Sequence, residues 1–379
     1  MDYLPQEIVI DILSRLPITS ILQFKLVCRS WLNLAQNPLL PSLHFSSTGK
    51  NDPCLILHSD NPVRNQLYSL ELSSRDKDDQ SVNRISVPLF PEFDVVGSCK
   101  GLLCLCDAST RNELYVYNPF TGDYLALPKS ADFNREDVVF GFGCHPTTKQ
   151  CKVVKVDYTR RRRGPRNYGY GKSEVQIFTL GGSTWRSLGQ ISYHFLPRPS
   201  QVLINGRLHW CTWPRYHGPS RLLVSFDLAN EQFRVVPKPD CGGLNKCRFD
   251  LVVLGGCLSA AVHCNYGEFE VWVMKEYDVK ESWIKEINIG SYVPRGLEMD
   301  LRRAFRDSKF YRNSSFVRIL CLLKNGDILL EYRCRALVSY NSKNETFKDV
   351  LFNEMPYLFE ASVHEGSLNR IDALIYNNQ

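Results

Sequence analysis

The feature that most constrains this chain is a repeated cassette of four short apolar strands, with a Gly-containing turn after the first or second strand and a polar turn before the last. One copy runs Val95 to Ser98, Gly101 to Leu105, Leu114 to Tyr117 and Tyr124 to Leu127; the next begins at Val138 and contains Cys151 to Val156, Val175 to Phe178 and Trp185-Arg186. A third starts at Val202, turns at Asn205-Gly206, and continues through Leu222 to Phe226 and Phe233 to Val236. A fourth starts near Leu251 and includes Glu270 to Val273 and Trp283-Ile284, and a fifth holds Val317 to Leu322, Asp327 to Leu330, Leu337 to Tyr340 and Phe347 to Val350. Period-2 runs bounded by turn residues are strands, because successive side chains point to opposite faces of a sheet. Residues 53 to 90 supply only three strands, and Phe359 to His364, far along the chain, can supply the missing one. That pairing closes a ring and leaves no open sheet edge. The expectation is an all-β propeller of six blades closed by the C-terminal strand, with seven blades as the alternative. Roughly 330 residues of cassettes are too many for one β-sandwich of about 100.

The first 45 residues follow a helical period instead. Pro5 at a first helical position, Glu7 in the positive first turn and Pro17 as a stop predict one helix, with Ile8, Ile12 and Leu16 on a common face. A second helix is expected to start at Ser20, its hydroxyl capping a backbone N–H while Gln23 reaches back. Phe24, Val27, Cys28, Trp31 and Ala35 form the next stripe. So short a segment cannot hide Ile21, Phe24 and Trp31 by itself, since chains below about 40 to 50 residues bury too little of their surface. The chain thus divides into a docking module (1–45), a polar linker (46–52) and the propeller (53–379).

Leu4-Pro5, Leu16-Pro17 and Val27-Cys28-Arg29-x-Trp31 together resemble the F-box, the module that binds the Skp adaptor of cullin-based ubiquitin ligases. The remainder resembles the F-box-associated interaction domain of plant F-box proteins, a relative of the kelch propellers. That resemblance is carried by Tyr117-Asn118-Pro119-x-Thr121, Gly141-Phe142-Gly143, Asn205-Gly206-x-Leu208-His209-Trp210, Ser225-Phe226-Asp227-Leu228, Val271 to Tyr277 with Lys280 to Trp283, and Asn325-Gly326-x-Ile328-Leu329. One departure is Cys144-His145-Pro146, where the family usually has Tyr-Asp-Pro; it bears on local blade geometry. The resemblance implies that Leu4, Pro5, Ile8, Ile12, Leu16, Pro17, Ile21, Phe24, Val27, Cys28 and Trp31 bind the adaptor, and through it a cullin scaffold.

Composition excludes several classes. At 379 residues and 44% hydrophobic, most of the chain is folded rather than disordered. Its longest nearly apolar run, Leu251 to Val262, is short of the roughly 20 residues that span a bilayer, so no membrane role is expected. Asp2 and Glu7 stand where a secretory signal needs positive charge. The 14 cysteines are therefore expected as reduced thiols in the cytoplasm or nucleus, and their spacing offers no paired zinc knuckle. Asn313-Ser314-Ser315 and Asn344-Glu345-Thr346 are then chance glycosylation patterns.

Enzymatic signatures are weak, and no cofactor is expected. Gly171-Lys172-Ser173 ends like a phosphate-binding loop, but the position that needs Gly is Arg166. No G-x-S-x-G elbow or H-E-x-x-H helix occurs. His209, beside Trp210 in a strand, reads as a hydrogen-bonded structural histidine. A kelch-like oxidoreductase with a copper site is a rival reading, although spacing alone places no clustered His and Tyr set.

The arginines point to a surface. The expected second-to-third connections, 59–66, 107–113, 159–173, 214–221, 264–268 and 333–335, emerge on one face of a propeller and carry twelve Lys and Arg against four Asp and Glu, in a chain of net charge +6. The inter-blade segment 291–315 adds Arg295, Arg302, Arg303, Arg306, Lys309 and Arg312 against Glu298, Asp300 and Asp307. Guanidinium forks pair bidentately with carboxylate or phosphate, so Arg160, Arg161, Arg162, Arg163, Arg166, Arg215 and Arg221 with Tyr168, Tyr170 and Tyr216 are the candidate contacts for an acidic or phosphorylated protein substrate. Arg160 to Arg163 also reads as a solvated loop or a short nuclear signal. RNA is the main rival ligand, because Tyr stacks on bases and Arg meets phosphates. The functional expectation is a non-catalytic substrate receptor of a Skp, cullin and F-box ubiquitin ligase, with its target on the arginine-rich rim and the docking module on the opposite face.

Overall fold

Two prolines start the first two helices. Pro5 and Pro17 are both extended (φ/ψ −56°/143° and −53°/145°) and lead directly into α1 (Gln6–Ser14) and α2 (Ile18–Phe24). Ser20 therefore lies inside α2 and does not cap it, a correction to the expected start. The stripe from Phe24 to Ala35 is also not one helix: the chain leaves helix at residues 25–28 and re-enters after the extended Cys28 as α3 (Arg29–Ala35). Its aromatic residues meet nonetheless, with the Phe24 and Trp31 rings 4.8 Å apart. A fourth helix, α4 (Leu39–Thr48), was not anticipated and takes up residues 46–48 of the expected linker. Its signal was Asn37-Pro38, where the Asn37 side-chain oxygen accepts the Leu39 N–H at 2.9 Å.

The computed structural model describes residues 4–48, 53–72, 82–87, 91–130, 137–162, 168–196, 201–212, 221–240, 249–264, 268–297, 308–310 and 317–372. The first blade holds β1 (Cys54–Asn61), β2 (Gln66–Glu71) and β3 (Asn83–Ile85), and the second β4 (Phe93–Cys99), β5 (Leu102–Asp107), β6 (Leu114–Tyr117) and β7 (Tyr124–Ala126). The third consists of β8 (Asp137–Cys144), β9 (Cys151–Arg162), β10 (Tyr168–Thr179) and β11 (Arg186–Ile191), and the fourth of β12 (Val202–Ile204), β13 (Arg207–Cys211), β14 (Leu223–Asp227) and β15 (Phe233–Val236). The fifth consists of β16 (Phe249–Leu254), β17 (Cys257–His263), β18 (Phe269–Met274) and β19 (Trp283–Ile289), and the sixth of β20 (Val317–Leu322), β21 (Ile328–Tyr332), β22 (Ala336–Asn341) and β23 (Thr346–Val350). The last strand, β24 (Leu358–His364), pairs antiparallel with β1 from Cys54↔His364 to Ser59↔Phe359 and takes the innermost place of the first blade. Six four-stranded sheets closed by the C-terminal strand are thus the architecture that the cassette count anticipated.

Each blade is covered on both faces by its neighbours, so central strands are buried on both faces and mostly apolar. Leu102 to Cys106 and Leu223 to Asp227 are buried at every position. The Gly141-Phe142-Gly143 motif owes its glycines to this packing: a Cβ on Gly141 would lie 2.5 Å from Trp210 Cζ2 in the next blade. Asn205 and Gly206, both at positive φ (51° and 71°), form the two-residue turn that joins β12 to β13 in the hairpin geometry matching strand twist.

The turn at Cys144-His145-Pro146 is closed by the His145 ring. His145 Nδ1 accepts the N–H groups of Thr147 and Thr148 at 3.3 and 3.1 Å. In the same way Asn118 Oδ1 accepts from Phe120 and Thr121, and Asp227 Oδ1 from Ala229 and Asn230. The ring nitrogen replaces a carboxylate oxygen as the local acceptor that closes the turn. The reading of all cysteines as thiols fails at this hairpin: Cys144 and Cys151, directly opposite in the β8–β9 ladder, are joined by a disulfide. Spacing in sequence did not reveal a pair that strand register brings face to face.

Candidate functional site

One flank of the helices is used to hold them on the propeller. Val9, Ile10 and Leu13 of α1, Ile18 and Ile21 of α2 and Leu40 of α4 share a buried cluster with Cys54, Phe120 and Leu368. Cys54 opens β1, Phe120 sits in the turn between β6 and β7, and Leu368 follows β24, so the helices rest on the face of the first-to-second and third-to-fourth turns. Polar contacts fix the joint. The Thr19 hydroxyl donates to Glu71, and His44 Nε2 lies 3.0 Å from the Leu16 carbonyl oxygen. Asn118 Nδ2 donates to the carbonyls of Ser367 and Asn369 at 3.0 and 2.9 Å, which binds the segment after β24 to the second blade. Burial beside this joint pushes the Lys25 ammonium below its ordinary value, against the opposing pull of Asp123.

The other flank faces outward and is apolar. Leu4, Ile8 and Ile12, spaced four apart, are 55%, 47% and 48% exposed. Pro5, Pro17, Val27 and Cys28 are exposed as well, whereas Leu16, Phe24 and Trp31 are half-buried. Ile21 departs from expectation: it is fully buried in the cluster against the propeller, one turn from Ile18, and has no outward face. Leu26, Leu39 and Leu43 are exposed apolar residues that the sequence reading missed. The i, i+4 pair Leu39 and Leu43 after Asn37-Pro38 was the available signal.

The opposite face of the ring differs from its expected form. Residues 159–173 were read as a loop, but β9 and β10 run through most of that range as a hairpin, pairing Arg160 with Tyr170, Arg161 with Gly169 and Arg162 with Tyr168. Arg163, Arg166, Arg215 and Tyr216 lie outside the described residues. Arg221 stands just before β14, where its carbonyl accepts Lys238 Nζ at 3.5 Å.

Several rim cations are engaged internally. Arg111 Nη2 donates to Asp94 at 3.2 Å, Arg64 meets Glu92 at 2.8 Å, and Arg335 Nη2 donates to the Gly296 carbonyl at 3.2 Å. Lys309 reaches from the inter-blade segment to the Phe93 carbonyl at 2.7 Å, to His58 Nε2 at 3.0 Å and to Asn65. Summing loop charges could not anticipate this, because the partners lie outside those loops, on the innermost strand of the same blade or on segments between blades.

An axial cavity of about 540 Å³ is lined by the six innermost strands. Arg318 Nη2 donates to Glu331 at 2.9 Å and to the Ala361 carbonyl at 2.6 Å, and the Ala361 N–H donates to the same Glu331 oxygen at 2.6 Å. The expected structural role of His209 holds: Nε2 lies 2.8 Å from the Tyr277 hydroxyl and Nδ1 3.3 Å from the Val202 carbonyl. Burial holds its pKa down at about 4, so the ring is neutral.

Residues 1–42 match the family model described as F-box-like, and residues 54–372 the one described as F-box associated beta propeller domain. The chain belongs to the F-box proteins with a C-terminal propeller. Similar relatives include "F-box protein At3g07870" of Arabidopsis thaliana, 48% identical over 98% of this chain and 93% of its own length. "F-box/kelch-repeat protein At3g23880" of the same plant is 27% identical, with 95% and 94% covered. "F-box protein CPR1", also from Arabidopsis thaliana, is 27% identical, with 97% and 89% covered. The F-box match stops at residue 42, inside α4, and the propeller match extends past β24 to include the segment that packs under the helices.

Proposed function

We propose that this F-box protein is the substrate-receptor subunit of a Skp–cullin–F-box ubiquitin ligase, a non-catalytic member that acts by proximity. The observation that carries this reading is the division of α1 into two flanks, with Val9, Ile10 and Leu13 packed on the propeller and Leu4, Ile8 and Ile12 presented outward. An exposed apolar stripe on a docked helix is a surface for a partner groove, here that of the Skp adaptor. The same mechanism gives a use to the opposite propeller face, which stays clear of the helices and can hold a protein target.

The contribution of such a subunit is a matter of effective concentration. Holding the target's lysine within reach of the ubiquitin-charged enzyme turns a bimolecular encounter into a local one. A helical module packed on the propeller through Thr19, Glu71 and the segment after β24 supports this, because a long flexible tether would dilute the local concentration. The complex would act in the cytoplasm or nucleus. The test is co-elution of the full chain with purified Skp adaptor and cullin. Recovery of a ternary complex supports the proposal, and failure with every adaptor tried overturns it.

A further inference from the structure

The propeller face away from the helices carries an apolar arc that the fold leaves uncovered. Among the described residues, eight large apolar side chains of the propeller are exposed, and four of them, Val63, Val293, Leu351 and Tyr357, stand on this face over the sixth and first blades. Their exposures of 39%, 72%, 64% and 47% are high for residues of this type. Hydrogen bonds tie their segments together. The Tyr292 hydroxyl and the Arg295 N–H both donate to Asp349, two residues from Leu351, at 3.3 Å each. The Tyr357 N–H donates to the Asn61 carbonyl, two residues from Val63, at 2.9 Å. The Phe359 N–H donates to the Cys334 carbonyl at 2.8 Å, which brings the Arg333 turn beside the same strand.

The charge around the arc selects its occupant. Arg295 and Arg333 are exposed at its edge. Of the described carboxylates beside the arc, Asp60 accepts from the Lys309 N–H, Asp349 from Tyr292 and Arg295, and Glu92 pairs with Arg64, while Glu354 is exposed; the exposed Asp240 and Glu268 belong to the connections of the fourth and fifth blades. Aliphatic side chains with a Tyr and exposed arginines have the make-up of protein-interface hot spots. We infer that this arc is the target-contact surface, and that its occupant is an extended protein segment combining bulky apolar side chains with carboxylates. The inference rests on the receptor reading. A second copy of the chain fits less well, because it would bring the same arginines and a net charge of +6 to the contact. RNA fits less well because three of the four apolar residues offer no ring for a base to stack on.

The test uses the full chain bound to its adaptor and three pools of short fluorescent peptides. One pool alternates Leu, Phe and Tyr with Asp and Glu, the second alternates them with Lys and Arg, and the third keeps the acids but replaces the apolar residues by Ser. The acidic–apolar pool is expected to bind at least about tenfold more tightly than either other pool. Leu351→Asp with Tyr357→Ala should weaken that binding at least about tenfold, and Arg295→Glu severalfold with a reduced salt dependence. Replacing Arg160, Arg161 and Arg162 by Gln should change it less than about twofold. Melting and adaptor co-elution should be unaltered in every variant. Wild-type affinity in the Leu351/Tyr357 variant, loss in the arginine-hairpin variant instead, preference for the basic pool, binding of none, or a mixed-sequence RNA bound through the arc would each overturn the inference. Adaptor co-elution separates the two readings, since it persists if only the arc is wrong and fails if the receptor assignment is.

Discussion

Thr19 and Glu71 join the two halves of the chain: the Thr19 hydroxyl donates to Glu71 Oε1 at 3.0 Å, and the Thr19 backbone N–H approaches the same oxygen at 3.4 Å. Thr19→Val removes the hydroxyl donor and keeps the backbone one. The expected cost is about 1 kcal/mol, read as faster hydrogen exchange in α2 with little change in the propeller. Ile18→Asp, which puts a carboxylate into the cluster beneath, should free the helices altogether. Equal protection of α2 in both variants would show that this joint does not hold the module.

The two flanks of the helices make opposite demands. Ile8→Asp with Ile12→Asp changes exposed positions and should leave the melting curve in place. If both side chains are buried by the adaptor at about 1.5 to 3 kcal/mol each, affinity falls by two or more orders of magnitude. Ile21→Ala empties a fully buried site, so about 2 to 5 kcal/mol of stability should be lost while the folded fraction still binds the adaptor. Denaturant titration beside an adaptor-binding isotherm checks both.

Ring closure and module docking separate by truncation. Deleting residues 357–379 removes β24, leaving β1 without its inner neighbour, the first blade without its innermost strand, and Arg318 and Glu331 without their bonds to Ala361. That protein should aggregate, since the inner edge of β1 is left unpaired and the ring is open. Deleting residues 366–379 keeps the ring but loses Leu368 and the bonds to Asn118. It should stay soluble, with helices that exchange faster. A soluble, cooperatively melting product of the longer deletion would contradict the role assigned to β24.

Acid should weaken the fold before ordinary carboxylates titrate. His209 and His364 are neutral in the folded state because burial lowers them to about 4 and about 3 from 6.5. Below pH 6.5 the unfolded chain binds more protons, so this contribution is complete above about pH 6.5 and is lost as pH falls toward 4. The slope is about 1.4 kcal/mol per pH unit for each ring. Urea midpoints between about pH 7 and pH 5 should fall accordingly, and His209→Gln should flatten the dependence. An unchanged slope in that variant would argue against the buried neutral ring.

The architecture was legible because its signals are local. Period-2 runs, the Asn205-Gly206 turn and an incomplete first cassette matched by Phe359 to His364 sufficed for six blades and their closure, since alternation and turn chemistry depend on neighbours a few residues away. The F-box was legible in the same way. Periodicity says which residues share a helix face but not what the face meets, and so it could not separate Ile8 and Ile12, which look outward, from Ile21, which is buried against the propeller. Tertiary structure alone decided the contacts between distant segments: Thr19 with Glu71, Cys144 with Cys151 across a ladder, Arg111 turned in to Asp94, and Lys309 held by Asp60 and His58. It also decided that Val63, Val293, Leu351 and Tyr357, separated in sequence by up to hundreds of residues, share one face. The physical reason is common to all of these. Side-chain type sets what a residue can bond to, but strand register within a blade, the packing of blade on blade and the docking of the helices set which partner lies within reach.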